Sequence, residues 1–183
     1  MFNYPAVWQI DEVVDSEVLL REFNKAMSDQ LKVIYPKNND WTGISVLSGG
    51  GLNHLAKLPM LSSFLEQFGQ KNVLGVTFFN LAPHSLLHRH RDMNGNLLFG
   101  VIRLHIPLQT NPDAIIEVQK RPIHMPINTV WALDTSGLHA LQNRGDKNRI
   151  HLVIDVKYSK STSKYFPDFS LAMLLHIIFF IFI

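Results

Sequence analysis

The chain has 183 residues, of which 46% are hydrophobic and 17% are charged, which predicts one globular domain and excludes extended disorder. The formal net charge is only +2, so charge gives no argument for a nucleic-acid partner. The absence of cysteine excludes disulfides, thiolate metal sites and cysteine nucleophiles, and it fits a cytoplasmic protein. Met1–Pro5 lacks a basic segment followed by an apolar run, so we expect no signal peptide.

The first third of the chain is predicted to be mainly helical. Asp15 and Ser16 are followed by an acidic residue, which is typical of a capped helix start, and apolar residues then recur at helical spacing. We therefore predict a helix from Ser16 to Leu31. A strand is predicted from Trp41 to Leu47, and an apolar stripe predicts a second helix from Pro59 to Phe68.

From Asn72 onward the pattern changes to short strands separated by turn signals. The predicted strands cover 73–81, 84–90, 99–108, 114–119, 130–133, 138–142 and 149–158, with a loop at 122–128. Alternation in the third of these strands places Arg103 and His105 on one face and apolar residues on the other. This order predicts a mainly β protein, a sandwich or barrel with N-terminal helices packed outside.

A His-x-Asp triplet, His90-Arg91-Asp92, ends the second of these predicted strands. His90 and Asp92 point the same way in an extended strand and can bind one ion together. Two imidazoles and one carboxylate form the ligand set of non-haem Fe(II) oxygenases, so a second histidine should come from a neighbouring strand. His88 is a rival to His90 because it shares the strand face, but no carboxylate follows it two residues later.

A long run, WALDTSGLHALQNRGDKNRIHLVIDV at Trp131–Val156, follows HRD and IRLHIPLQTNP in the chain. Together these motifs resemble the aspartyl/asparaginyl β-hydroxylase family of 2-oxoglutarate-dependent oxygenases. Within that family the chain looks most similar to bacterial members that hydroxylate free amino acids such as proline. The resemblance covers residues 73–156 and implies a double-stranded β-helix, a cupin-like jelly roll, in agreement with the predicted strands.

The resemblance also implies three metal ligands. His90 and Asp92 match the family's His-x-Asp iron ligands, and His139 matches the distal histidine. The same residues are the expected catalytic centre, and Fe(II) is the expected metal. An ordinary buried histidine is the alternative interpretation of His139, and a role beside the metal or the substrate is the interpretation of His88.

The cosubstrate implied by the resemblance is 2-oxoglutarate. Arg149 follows His139 at the spacing at which the family places the arginine that pairs with the distal carboxylate. Arg103 and His105 match the Arg-x-His element that holds the other end. Arginine suits this role because its planar guanidinium forms two hydrogen bonds with one carboxylate. His151 shares a strand face with Arg149, and lining the pocket or a structural role are equal alternatives for it.

The implied function is Fe(II)- and 2-oxoglutarate-dependent hydroxylation of an amino acid or small amino-acid derivative, with succinate and CO2 as co-products. Hydroxylation of a peptide or protein is one alternative, and a non-catalytic cupin-like metal- or ligand-binding protein is another. A Zn(II) hydrolase is a third alternative, although no clear glutamate general base accompanies the ligands. We expect no nucleic-acid partner.

The predicted single oxygenase domain covers residues 1–160, with a helical N-terminal part at 1–70 and a β-helix core at 72–158. Residues 161–183 form a hydrophobic tail of unknown role. Its segment LAMLLHIIFFIFI is shorter than the roughly 20 residues of a membrane-spanning helix, so we expect no span. A short anchor that would make the protein membrane-associated, a cover on the barrel, a dimer contact and a non-native end of the reading frame are the alternatives.

Overall fold

The computed structural model of the chain describes residues 6–28, 40–47, 57–92 and 97–167. Two helices lie in these residues, α1 (Ser16–Ser28) and α2 (Pro59–Glu66). The strands are β1 (Val7–Ile10), β2 (Trp41–Leu47), β3 (Val73–Leu81), β4 (Ser85–His90), β5 (Val101–Gln109), β6 (Ala114–Val118), β7 (Arg121–Ile123), β8 (Val130–Leu133), β9 (His139–Asn143) and β10 (Arg149–Lys157).

The strands form two antiparallel sheets. The six-stranded sheet has the order β1-β8-β5-β10-β3-β2, and the four-stranded sheet has the order β4-β9-β6-β7. From β3 to β10 the chain passes repeatedly between the two sheets, and only the β6–β7 hairpin stays within one. This topology is a jelly roll, so the predicted fold class, a mainly β double-stranded β-helix with N-terminal helices, is confirmed.

The larger of two hydrophobic clusters lies between the helices and the six-stranded sheet. Ile102, Leu104 and Ile106 of β5 are fully buried in it. From α1, Phe23 packs its ring edge-on against Phe78 of β3, with the ring centroids 5.6 Å apart. Because strand side chains alternate, the opposite face of β5 and β10 is turned toward the four-stranded sheet, where the candidate site lies.

The start of α1 is fixed by its cap and by a contact with β5. Asp15 Oδ1 accepts a hydrogen bond from the Val18 amide at 3.0 Å, which confirms the predicted cap. The Ser16 hydroxyl donates to the Pro107 carbonyl at 2.6 Å and accepts from the Asn128 amide at 2.8 Å. These bonds hold the helix against the sheet strand that carries Arg103 and His105.

The structure differs from the sequence predictions at several places. Strand β1 was not predicted, because four residues at a sheet edge are too few to show a period; pairing with β8 stabilises it. The start of the predicted 122–128 loop belongs to β7, which pairs with β6. Helix α2 ends two residues early, at Glu66. The end of the predicted first helix, residues 29–31, lies outside the described residues.

The segment assigned to the tail begins with a packed turn. Tyr165 and Phe166 are buried in the larger hydrophobic cluster, so this part of the chain belongs to the core. The apolar segment Leu171–Ile183 lies outside the described residues, and its role and the proposed division at residue 160 stay predictions. Within the described ranges, no helix has the length and apolarity needed to cross a membrane.

We expect Phe78→Ala to lower the free energy of unfolding by about 3–5 kcal/mol, the usual cost of removing a buried aromatic ring. Phe78 is 0% exposed, so its loss leaves a cavity beneath α1. Phe99, which is 64% exposed, offers a matched control, and Phe99→Ala should change stability by less than about 0.5 kcal/mol. Urea unfolding of both variants measures the difference, and equal losses would contradict this placement of the core.

Candidate metal centre

Three side chains predicted as metal ligands converge at one end of the four-stranded sheet. His90 and His139 are cross-strand neighbours on β4 and β9, with ring centroids 4.3 Å apart. Asp92 lies just beyond β4, where its amide donates to the Thr135 carbonyl at 3.0 Å. The three residues offer one ligand atom each, and these atoms all lie within 4.8 Å of one another. The spacing suits a shared ion, and ligation itself stays a prediction; we call His90, Asp92 and His139 the metal group.

His90 and His139 both turn the Nε2 atom of their rings toward the metal group. His90 Nδ1 lies 2.7 Å from the His88 carbonyl, and His139 Nδ1 lies 3.0 Å from the Gly137 carbonyl. Since a carbonyl only accepts, each Nδ1 carries a proton, and in the neutral form of each ring Nε2 presents a lone pair to the shared centre of His90, Asp92 and His139. The Nε2 atoms lie 3.5 Å and 3.8 Å from the Asp92 carboxylate oxygens. This orientation is the one that metal-binding histidines require.

The electrostatics of His139 also favour a neutral ring. Burial lowers the pKa of His139, and the neighbouring His90 lowers it further, although the hydrogen bond to Gly137 opposes the shift. A neutral imidazole is the form that binds a metal ion. The position of His139 beside His90 and Asp92 favours the ligand interpretation over that of an ordinary core histidine, and the assignment stays a prediction.

Arg103 is held between two carboxylates. Its Nε and Nη2 donate to the Asp155 oxygens at 2.7 Å and 2.9 Å, and its Nη1 donates to Asp92 Oδ2. Asp155 faces Arg103 in the register of β10 and β5, on the same face of β10 as Arg149. Sequence reasoning missed Asp155, although its alternation with Arg149 was a usable signal. Arg103 therefore orients a carboxylate of the metal group, and its predicted contact with the cosubstrate stays a prediction.

We expect Asp155→Asn to weaken metal binding about 10–100-fold, the usual effect of removing a group that orients a metal ligand. Without the second carboxylate, Arg103 loses the partner that aligns it with Asp92. Asp146→Asn is the matched control, because Asp146 is exposed and pairs with His84 away from the cavity. Titration with Mn(II), followed by its electron paramagnetic resonance signal, measures the affinity. Equal affinities in the two variants would contradict the role given to Asp155.

The metal group opens into a cavity of about 210 Å³ between the two sheets. Arg103 and His105 line it, as do the stacked rings of Trp41 and Phe79, whose centroids are 5.1 Å apart. The remaining apolar wall consists of Leu87, Ile116, Leu141 and Val153. The wall is thus divided about evenly between polar and apolar side chains, and the apolar part limits the access of water to the space next to His90, Asp92 and His139. Trp41 and Phe79 had no functional signal in the sequence.

Arg149 is placed on the inward face of β10 but not on the cavity wall. It is 2% exposed, and its Nη2 lies 3.2 Å from His151 Nδ1. Among the described residues no carboxylate pairs with it, and burial lowers the pKa of Arg149 to about 9. It stays charged at neutral pH. A buried cation without an anionic partner suits one end of a dicarboxylate, so the residues present fit the expected cosubstrate.

A jelly roll with a His/Asp/His group beside an arginine-bearing cavity is typical of non-haem Fe(II) oxygenases. The model of the aspartyl/asparaginyl β-hydroxylase family matches residues 10–158. The chain belongs to this family, which confirms the predicted family and, with it, the class of 2-oxoglutarate-dependent oxygenase. The family and the donor set together support Fe(II) and 2-oxoglutarate as the metal and cosubstrate.

Solved structures show the same fold at low sequence identity. A 2-oxoglutarate-Fe(II) oxygenase family oxidoreductase from Burkholderia pseudomallei has a TM-score of 0.57 and 17% identity, over 83% of this chain and 84% of that one. HygX from Streptomyces hygroscopicus, solved with nickel and 2-oxoglutarate bound, has a TM-score of 0.55 and 12% identity, over 85% and 84%. A prolyl-4-hydroxylase from Pseudomonas putida has a TM-score of 0.53 and 11% identity, over 84% and 93%.

Proposed function

We propose that the protein hydroxylates an amino acid or small amino-acid derivative, using Fe(II) and 2-oxoglutarate and forming succinate and CO2. The convergence of His90, Asp92 and His139 on one point, beside a cavity with a buried arginine behind it, carries this proposal. The family supports the reaction class. The structure of the prolyl-4-hydroxylase from Pseudomonas putida supports only the fold.

In this proposal His90, Asp92 and His139 hold Fe(II), which supplies activation of dioxygen when it is bound together with 2-oxoglutarate. The carbonyls of His88 and Gly137 accept hydrogen bonds from the Nδ1 atoms and so turn both Nε2 atoms toward the metal position. The apolar part of the cavity wall keeps water away from the reacting carbon.

In this proposal, side chains of the six-stranded sheet bind 2-oxoglutarate. Arg103 and His105, on the cavity wall, bind the end of 2-oxoglutarate that lies next to the metal group. Arg149 binds the distal carboxylate, and its burial strengthens that ion pair because little water screens it.

The size and rim of the cavity support a small, carboxylate-bearing substrate. The space is about 210 Å³, and Arg91 lies at its edge. The Arg91 Nη1 donates to the Ser136 carbonyl at 2.7 Å, which fixes an otherwise exposed guanidinium beside Asp92. A fixed cation at this position suits the carboxylate of a free amino acid. The absence of cysteine supports a cytoplasmic setting, where free amino acids are available.

The test is to incubate the protein with Fe(II), ascorbate and 2-oxoglutarate and to measure succinate with each of the common amino acids. We expect succinate to rise above the uncoupled background with one or a few of them, with a matching hydroxylated product by mass spectrometry. Turnover only with peptides would replace the small substrate with the peptide alternative. Tight metal and 2-oxoglutarate binding without any turnover would favour a non-catalytic binding protein.

A further inference from the structure

A cluster of buried polar side chains lies between the two sheets behind the cavity wall. It consists of Arg149 and His151 on β10 and His105 on β5, which are 2%, 1% and 7% exposed. The rings of His105 and His151 are 5.7 Å apart and nearly perpendicular. His105 lines the cavity, and Val153, on the same face of β10 as His151, lines it as well. The cluster therefore extends inward from the cavity.

The contact between Arg149 and His151 determines where the imidazole carries its proton. A guanidinium has only donors, so Arg149 Nη2 donates to His151 Nδ1 at 3.2 Å. His151 is neutral, because burial lowers its pKa well below the usual value and the charge of Arg149 lowers it further. The single ring proton must therefore be on Nε2, which makes Nε2 a donor.

That donor has no acceptor in the described part of the chain. His151 Nε2 is buried without a hydrogen-bond partner there, and so is His105 Nδ1. Buried polar groups in native proteins are almost always paired, so an unpaired N–H next to an uncompensated cation needs a physical reason. An anion in the cluster would accept hydrogen bonds from His151 Nε2 and from the Arg149 guanidinium. It would also neutralise the charge of Arg149. Water alone would leave the buried charge without a counter-ion.

We propose that His151 is a cosubstrate-binding and positioning residue: its Nδ1 fixes the guanidinium of Arg149, and its Nε2–H donates to 2-oxoglutarate. The inference rests on the proposed function and adds to it a residue that the family resemblance did not mark. His151 acts on binding of the distal carboxylate end, and it has no contact with the metal group. Replacing His151 should therefore lower the affinity for 2-oxoglutarate and leave the affinity for smaller metal chelators nearly unchanged.

The experiment compares the wild type with His151→Leu and His151→Gln, each loaded with Mn(II). Titration calorimetry gives the affinity for 2-oxoglutarate and for oxalate, which chelates a metal ion but has no distal carboxylate to reach the cluster. We expect His151→Leu to weaken 2-oxoglutarate binding at least about tenfold, since a hydrogen bond to a charged group is lost. Oxalate binding should change less than about twofold. Glutamine, which both accepts and donates, should restore most of the 2-oxoglutarate affinity.

A second variant and a kinetic measurement guard against misfolding. His151→Phe keeps the ring volume without either nitrogen, and it should raise the KM for 2-oxoglutarate at least about tenfold with little change in kcat. Unchanged 2-oxoglutarate affinity in both apolar variants would overturn the inference and leave the proposed function standing. Equal losses for oxalate and 2-oxoglutarate would overturn it too. A wild type that binds Mn(II) but not 2-oxoglutarate would overturn both proposals.

Discussion

His90→Ala should abolish succinate formation and weaken Mn(II) binding by more than about 100-fold, while His88→Ala should leave both nearly unchanged. Loss of a group that merely orients a ligand costs about 10–100-fold, and loss of a ligand costs more. The two histidines are two residues apart on β4, but only His90 contributes to the group with Asp92 and His139.

The pair is a matched comparison because both residues are histidines on one strand. The His88 side chain is exposed, and only its backbone carbonyl holds the ring of His90, so alanine at position 88 preserves that bond. Metal affinity is measured by Mn(II) titration, and turnover is measured by succinate formation. If His88→Ala showed the larger loss, the metal group would have to be redrawn around the preceding histidine.

Arg149→Met should weaken 2-oxoglutarate binding by about 100-fold or more, because a charged, two-point hydrogen bond is removed. The same substitution should raise the stability of the ligand-free protein by about 1–4 kcal/mol, the range seen when buried charges are replaced by well-packed apolar side chains. Arg149 is 2% exposed and has no carboxylate partner among the residues that the structure describes, so its charge is buried at a cost.

The Arg149→Met substitution should thus weaken 2-oxoglutarate binding and at the same time stabilise the ligand-free protein, and this combination distinguishes the prediction from other roles of Arg149. If Arg149 only supported the fold, its replacement would destabilise the protein. Replacement of a surface residue would change neither the stability nor the affinity for 2-oxoglutarate. Arg121→Met, at an exposed arginine of β7, is the control and should leave both within error. Urea unfolding and calorimetric titration with 2-oxoglutarate give the two numbers. A destabilised Arg149→Met with unchanged affinity would remove Arg149 from the cosubstrate site.

Much of the fold could be predicted because its strands have two different faces. Residues 101–109 alternate between Arg103 or His105 and apolar side chains, and the apolar set is buried against α1 as expected. Strands β1 and β7 could not be predicted, since they are edge strands of four and three residues, too short to show a period. Strand β1 also depends on the distant strand β8, and a local pattern contains no information about such a partner.

The convergence of His90, Asp92 and His139 was anticipated from a motif and a family resemblance. The partners of Arg103 were not, because an arginine that reaches both Asp92 and Asp155 depends on the register of β5 against β10. Nor does the sequence distinguish the donor and acceptor nitrogens of His151. That distinction requires the position of the Arg149 guanidinium.

The placement of the candidate groups has a consequence for motion. His90 and His139 lie on the four-stranded sheet, whereas Arg103, His105 and Arg149 lie on the six-stranded sheet. A small molecule bound by residues of both sheets would link the two sheets and reduce their motion relative to each other. Amide exchange in the interior of β9 and β10 should then slow together when metal and 2-oxoglutarate are both present, and slow much less with metal alone.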